Sequence, residues 1–407
     1  MAAKQYDVVV WGATGFTGKW VAKHLFDHYP QEQLKWAIAG RNPEKMEQVR
    51  DFIGDHDGTV QGILADSEDE ASLRDMVSST KVLITTVGPY AYYGSLLVKV
   101  CAEQGTDYVD LTGEVPWMRE MIDTYSSSAT ASGARIVHTC GFDSIPSDMG
   151  AFYAQKVAQK RFGKPVQSLQ YTLMKSKGGV SGGTVHSMLN LMKQATSDKK
   201  IRRLLTNPYS LNPDQSFKGP DKMDQAGIKY MDELGIWTGP FLMAGVNTRV
   251  VRRSNALMGF PWGEDFSYAE NMATKRGPVG MAVASGLAAG FATFGAVALT
   301  GPGRALLAKL LPAQGEGPNV DPANPGFYII EFTGQTADGD KVHTRLEGDG
   351  DPGYGSTSKM LAESAVCLAL DDVSVGGGFW TPSSAMGDPL LERLTLRGGL
   401  TLSELSA

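Results

Sequence analysis

The sequence predicts an α/β protein: a doubly wound parallel sheet at the N-terminus, followed by a second, mixed α+β domain built on an antiparallel sheet. Three observations predict it. Over the first 142 residues apolar strand patterns alternate with helical ones, the order that parallel pairing requires. The first strand runs straight into a glycine-rich turn, "GATGFTG". Late in the chain the alternation is replaced by a hairpin pattern, "GFYIIEFTGQTADGDKVHTRLEG", with Asp338-Gly339 at its turn.

Taken in order, Tyr6–Trp11 reads as a strand and Lys19–Tyr29 as a helix ended by Pro30. Leu34–Ala39 is the second strand, after which Asn42 caps a helix carrying Pro43 at its first position. Val60–Ala65 is the third, followed by Ser67 and Glu70 at capping-box spacing. Val82–Val87 is the fourth, leading to a helix that ends at Gln104 with Gly105 as its stop. Tyr108–Asp110 and Ile136–Cys140 complete six strands around one more helix. Beyond them, Ser168–Met174 alternates like a strand, Thr184–Ala195 is helical, and Leu204–Pro220 has the Asn, Pro, Asp and Ser content of a loop. Thr357–Leu370 is a helix, and a last helix near Pro389–Leu396 is a candidate to pack back on the first domain. The expected organisation is a nucleotide domain at 1–149, a mixed substrate domain at 150–375 and a C-terminal segment at 376–407.

Bulk properties narrow the function. A length of 407 residues suffices for two or three cores, and 42% hydrophobic with 20% charged residues is ordinary for a folded soluble chain. A formal net charge of -6 argues against a nucleic-acid partner, which needs a basic face. Cys101, Cys140 and Cys367 are widely spaced and are expected as reduced thiols, which with the absence of an apolar signal core in "MAAKQYD" points to the cytoplasm. Neither cysteines nor histidines show metal-ligand spacing, so no metal is expected.

The turn between the first strand and helix carries the clearest chemistry. Gly12 permits a sharp turn, Gly15 lets the backbone approach a pyrophosphate, and Gly18 lets helix and strand pack closely. Ala13, Thr14, Phe16 and Thr17 fill the same loop and helix entry, where free N–H groups and the helix dipole favour an anion. This context defines a Rossmann-type dinucleotide site. The second strand ends in "AGRNPEK" rather than in an acidic residue, so Arg41, with Asn42 beside it, favours the 2′-phosphate of NADP(H) over NAD(H). Asp66 is placed to meet the adenine amino group, and Thr86, Val87 and Gly88 to lie near the nicotinamide ribose. One match to Tyr-x-x-x-Lys, Tyr171 to Lys175, falls in an alternating pattern; in a strand those residues stand about 13 Å apart, so no catalytic pair is expected there.

With these features, "GATGFTG", "AGRNPEK", "GPYAYYG", "GTDYVDLTGE", "CGFDSIPSDMG", "GDPGYGSTSKMLAESAVCLA" and "TPSSAMGDPLLERL" resemble the saccharopine dehydrogenase-like oxidoreductases, the family that includes trans-acting enoyl reductases. The resemblance spans nearly the whole chain and implies an NADP-binding Rossmann domain followed by a mixed substrate domain, and the leading expectation is an NADP(H)-dependent reductase of lipid or polyketide acyl thioesters. For such a reaction Tyr90, Tyr92 and Tyr93, after the fourth strand, are candidate donors to the enolate oxygen, and His186 is a candidate acid. Thr112, Glu114, Asp143, Ser144, Ser147 and Asp148 are candidate cleft residues, the last four equally readable as capping around Pro146. Two alternatives stay open: saccharopine-type C–N oxidoreduction of amino and keto acids, and a non-catalytic NADP-binding lipid-surface protein.

The segment Gly277–Gly303, rich in Gly, Ala, Ser and Thr, is long enough to span a bilayer. A true span would split the second domain, which leaves a substrate-lining helix, a membrane or lipid-droplet contact, or a core helix. The amphipathic "RALLAKLL", Arg304–Leu311, suits an interface. A homodimer is compatible with this organisation.

Overall fold

The computed structural model describes residues 4–178, 182–311 and 326–406. Its elements run β1 (Tyr6–Trp11), α1 (Phe16–His28), β2 (Trp36–Gly40), α2 (Pro43–Ile53), β3 (Gln61–Leu64), α3 (Glu70–Ser78) and β4 (Thr80–Thr85). They continue with α4 (Tyr90–Tyr93), α5 (Ser95–Gln104), β5 (Asp107–Val109), α6 (Val115–Ser132), β6 (Arg135–Val137) and α7 (Ile145–Phe162). Next come β7 (Val166–Lys177), α8 (Gly182–Ser197), α9 (Lys199–Thr206), β8 (Lys229–Met231), β9 (Ile236–Pro240), α10 (Ala244–Leu257) and β10 (Ser267–Ala273). The chain closes with α11 (Gly277–Ala298), α12 (Gly301–Leu310), β11 (Phe327–Thr336), β12 (Lys341–Gly348), α13 (Thr357–Leu370), β13 (Gly378–Trp380), α14 (Pro382–Leu396) and β14 (Leu400–Glu404). Two compact units result. The first holds residues up to 142 together with 353–399, and the second holds the stretch between them and the last strand.

The first unit is a parallel sheet in the order β13-β6-β5-β4-β1-β2-β3. Val8, Val9 and Val10 are fully buried, as befits a central strand covered on both faces. β1 pairs with β2 on one side and β4 on the other, so the strand order reverses at β1. That reversal is where doubly wound sheets open a crevice at their carboxyl ends. Helix ends follow the local sequence. Asn42 accepts from the Lys45 N–H to cap α2 with Pro43 at its first position, and Gly105 closes α5 in the left-handed conformation. The cap of α3 is Asp69, which accepts from the Ala71 N–H, rather than Ser67. The acidic side chain one residue before the helix reaches the first free N–H more directly.

The C-terminal part contributes more to this unit than its sequence pattern suggests. α13 packs across β1, β4 and β5 and against α1, and α14 packs on α13. β13 adds a seventh parallel strand beside β6. A buried polar knot ties the return: Tyr29 Oη donates to both carboxylate oxygens of Glu363 at 2.9 and 2.7 Å, and His24 Nε2 lies 2.8 Å from the same carboxyl. α14 is broken at Gly387, whose backbone leaves helical values just before Pro389.

The second unit is a mixed sheet in the order β14-β12-β11-β7-β10-β9-β8. β10 pairs with β7 in parallel, and the neighbouring pairs are antiparallel. α7 packs against β7, β11 and β12, and α10 packs on β10. Tyr171 and Lys175 both lie on β7, in a strand. The β11–β12 hairpin turns at Asp338-Gly339, with Gly339 left-handed (φ 92°). The three cysteines are buried and form no disulfide.

Candidate active site at the carboxyl ends of the parallel sheet

The glycine turn is built by steric necessity. Gly12 is left-handed (φ +83°), and a Cβ there would stand 2.6 Å from Val87 Cγ2 and 2.9 Å from Thr86 Oγ1. A Cβ on Gly18 would stand 2.2 Å from the Gly12 carbonyl oxygen. No side chain can occupy either position without moving backbone or the end of β4. The Gly12 N–H donates to the Ala39 carbonyl at 3.1 Å and the Thr86 N–H to the Trp11 carbonyl at 3.1 Å, which fixes the turn to both neighbouring strands. Thr86 Oγ1 donates to the Gly12 carbonyl at 3.1 Å, so this side chain holds the loop.

Helix α1 begins at Phe16 behind Gly15, with no side-chain cap and no acidic residue in its first turn. Gly15 is exposed and Ala13 buried, with Thr14 and Thr17 half-exposed at the mouth. An uncapped helix start flanked by glycines offers N–H donors and a positive dipole end to a phosphate. Lys19 sits over the rings of Phe16 (5.0 Å) and Phe52 (4.9 Å), adding positive charge beside this entry. Arg41 follows β2 as an exposed side chain, free to meet a phosphate. Asn42 uses its oxygen on α2, and Asp66 accepts from the Glu68 N–H at 3.0 Å, so each of these holds its own loop. A glycine cradle that a single methyl would fill, a helix dipole and an unengaged guanidinium together fit a dinucleotide carrying an additional phosphate.

The three rim tyrosines part company. Tyr90 is buried; its hydroxyl donates to the Thr85 carbonyl at 3.1 Å and accepts from the Leu111 N–H at 3.4 Å. Burial, and then the Asp110 carboxylate, push its pKa well above the ordinary range. Tyr90 is thus a lock between the ends of β4 and β5 rather than a proton donor at the rim. Tyr92 and Tyr93 are exposed, ring centroids 6.3 Å apart on the same short turn. Glu114 accepts from the Tyr90 and Ala91 N–H groups at 2.9 and 3.0 Å and thereby fixes α4, while Thr112 Oγ1 accepts from the Glu114 N–H. Thr112 and Glu114 are buried supports of the tyrosine turn.

A hub that sequence reasoning missed lies beneath. Asp110 accepts from Tyr108 Oη (2.9 Å), the Thr112 N–H (3.1 Å) and the Thr139 N–H (3.0 Å), and its Oδ2 is 2.7 Å from His138 Nδ1. It joins the ends of β5 and β6, and the left-handed Thr139 (φ 65°) marks the junction. An aspartate at the carboxyl end of one strand followed by His-Thr at the end of the next was the available signal.

In the second unit, Ser144 and Ser147 belong to a buried network and Asp148 to a buried pair beside it rather than to helix capping, the Ser144 side chain making no cap bond to α7, while Asp143 stands two residues before the helix. Ser144 Oγ donates to Asn247 Oδ1 at 3.0 Å, and Asn247 Nδ2 donates to Glu270 at 3.1 Å. Glu270 also accepts from Tyr268 Oη at 2.9 Å and is hydrogen-bonded to Ser147. Asp148 accepts from Ser254 Oγ at 2.5 Å. Burial raises Glu270 to about 7 and Asp143 to about 6. Tyr268 and Glu270 share one face of β10, a period-2 signal visible in "SYAEN". His186 lies half-buried on α8, whose glycine-rich approach at 179–181 is outside the described residues. Among the described residues no cluster of His, Cys, Asp and Glu could hold a metal ion.

A parallel sheet whose strand order reverses beside a glycine-bound helix start defines a Rossmann-type dinucleotide-binding domain. Residues 8–137 match the saccharopine dehydrogenase NADP binding domain. A Mycobacterium tuberculosis protein named as a candidate trans-acting enoyl reductase is 40% identical, over 97% of this chain and 96% of its own. The trans-acting enoyl reductase of Mycobacterium bovis is 37% identical over 97% and 96%. Saccharopine dehydrogenase (L-Glu forming) of Saccharomyces cerevisiae shares the fold, with a TM-score of 0.56 at 13% identity over 98% of this chain and 100% of that one. The chain belongs to the saccharopine dehydrogenase-like oxidoreductases, in the branch of the trans-acting enoyl reductases, and is an NADP(H)-dependent enzyme.

Proposed function

We propose that this enzyme reduces the α,β-double bond of a lipid or polyketide acyl thioester. NADPH, when bound, supplies the hydride that the β-carbon receives. The residues Gly12 to Gly18 hold the pyrophosphate against the start of α1, and Arg41 pairs with the 2′-phosphate. Thr86, Val87 and Gly88 line the approach to the nicotinamide ribose. Tyr92 and Tyr93 donate hydrogen bonds to the thioester oxygen as it gains enolate charge, and one proton reaches the α-carbon to complete the saturated chain.

The observation that favours this reading over C–N chemistry is the state of the basic cluster on α10. Gripping two substrate carboxylates needs free guanidinium or ammonium groups. Arg249, Arg252 and Arg253 form a basic cluster on α10, but all three are buried. Arg249 pairs with Asp224 at 2.9 Å and Arg252 with Asp221 at 2.7 Å, while Arg252 and Arg253 donate to the carbonyls of Tyr268 and Leu211. They are structural cations.

The test is a label transfer. NADPH deuterated at the transferable position is mixed with the enzyme and a panel of enoyl thioesters, keto acids with amines, and lipid extract. Deuterium at the β-carbon of a saturated thioester supports the reading. Deuterium on the carbon of a new C–N bond, or tight NADPH binding without transfer to any acceptor, overturns it.

A further inference from the structure

The second unit carries a surface that reduction chemistry does not use. Helix α11 has 22 residues with no charged side chain, a length of about 33 Å. Only 11% of its most apolar stretch is buried. Gly280 and Ala284 are buried, and a Cβ built on Gly239 of β9 would meet Leu287 at 3.5 Å, so one stripe of the helix rests on β9. The rest, with Val279, Met281 and Val283, faces outward. Beside it, Leu189 and Met192 of α8, Phe294 and Ala298 of α11, and Leu307 of α12 share a small apolar core. That core holds the helices as one patch, which extends outward through Leu299, Leu306 and Leu310. An uncharged exposed face of this length calls for a covering partner.

Charge identifies the partner. In a chain of formal net charge -6, the helices α8 and α9 and the segment 274–311 carry nine cations against one acid, Asp198. Lys199, Lys200, Arg202 and Arg203 crowd the exposed side of α9, with Lys193 on α8. Lys275 and Arg276 stand at one end of α11, Arg304 and Lys309 beyond the other. Arg202 and Arg304 turn onto backbone carbonyls rather than onto carboxylates. An apolar face bordered by cations is complementary to a surface that is apolar inside and anionic at its rim. A second copy presenting the same cations across a twofold axis would meet like charge. Nor does α11 cross a bilayer: β10 before it and β11 after it both pair with β7 in one sheet.

We propose that α11 and α12, bordered by α9, dock the enzyme on an anionic phospholipid bilayer, lying in its interface. The inference stands independently of which acceptor is reduced. The test is flotation of the full-length protein with vesicles of phosphatidylcholine alone or with about 30 mol% phosphatidylglycerol, at low and high salt. Expected is at least tenfold greater partitioning onto the anionic vesicles, weakened by salt. Lys199→Glu with Lys200→Glu and Arg203→Glu should cut it more than tenfold, at about fivefold per cation. Val279→Ser with Met281→Ser and Val283→Ser should remove the salt-resistant part. Both variants should keep wild-type NADPH affinity and thermal midpoint, which separates lost docking from lost folding. Equal partitioning onto neutral vesicles would place the patch on an uncharged lipid surface. Concentration-dependent dimerisation abolished by the serine variant, with no flotation, would assign it to a second copy. No flotation and no dimer would leave it without a lipid role. Each of these three results overturns the proposal.

Discussion

A Cβ on Gly18 would lie 2.2 Å from the carbonyl oxygen of Gly12 and 2.8 Å from Ala13 Cα, so the helix start and the turn before it are in backbone contact. The atoms that would clash are main chain, which no rotamer change can move aside. Gly18→Ala should therefore push the phosphate-facing N–H groups out of place. The expected outcome is at least tenfold weaker NADPH binding in a fluorescence titration, with a stability loss of about 1–3 kcal/mol. Gly290→Ala, at an exposed helix position with open space around it, should leave NADPH binding unchanged and raise stability by up to about 1 kcal/mol.

Arg41 stands exposed directly after β2, where the ribose end of a dinucleotide meets such a sheet. A charge-assisted pair with the 2′-phosphate contributes roughly 1.5–3 kcal/mol, or about 10- to 100-fold in affinity. Arg41→Ala should weaken NADPH by that factor and leave NADH within about twofold, read from parallel titrations of both nucleotides. Equal weakening of the two would remove Arg41 from the 2′-phosphate.

The nucleotide half of this picture was legible in the sequence because it is local. The strand-turn-helix at Val8–Leu25, the Asn42-Pro43 helix start and the Gly105 stop are each specified by residues a few positions apart. What escaped is long-range. Glu363 meets His24 and Tyr29 across more than 300 residues, and α13 and β13 return to the first unit after most of the second unit's sequence has intervened. Residue type likewise does not reveal which way a tyrosine turns. Tyr90 and Tyr93 are three apart on one short helix, yet the Thr85 carbonyl captures the first and the second stays exposed.

That division among the tyrosines gives a contrast of variants. Tyr92→Phe with Tyr93→Phe should lower turnover on an enoyl thioester by about a hundredfold, the scale of a lost oxyanion hydrogen-bond donor, while NADPH affinity and thermal midpoint hold. Tyr90→Phe should do the reverse. It removes the bond to the Thr85 carbonyl and leaves the Leu111 N–H without its acceptor, costing about 1–3 kcal/mol of stability. Its effect on turnover should be confined to that loss of folded protein. Steady-state kinetics beside thermal unfolding distinguishes the two patterns, and a Tyr90→Phe enzyme of normal stability but abolished turnover would reverse the roles.

Glu270 supplies the pH dependence of the second unit. Burial is the largest cause of its raised pKa, about 7 against 4.5 for the free side chain, with Ser147, Tyr268 and Asn247 donating to it. Between those two values the folded chain keeps a proton that the unfolded chain has released. The stabilisation tied to that proton is fully present below about 4.5 and is lost as pH rises through about 7. Glu270→Gln keeps the side-chain shape and stays neutral at every pH. Its thermal midpoint should match the wild type near pH 4 and exceed it increasingly between about 4.5 and 7, levelling off above about pH 7.5 at a difference on the order of 3 kcal/mol. Unfolding curves taken at half-unit steps across this range check the sign. A constant offset between wild type and variant would mean that the Glu270 carboxylate is already charged inside the fold, its negative charge carried by the three donors around it.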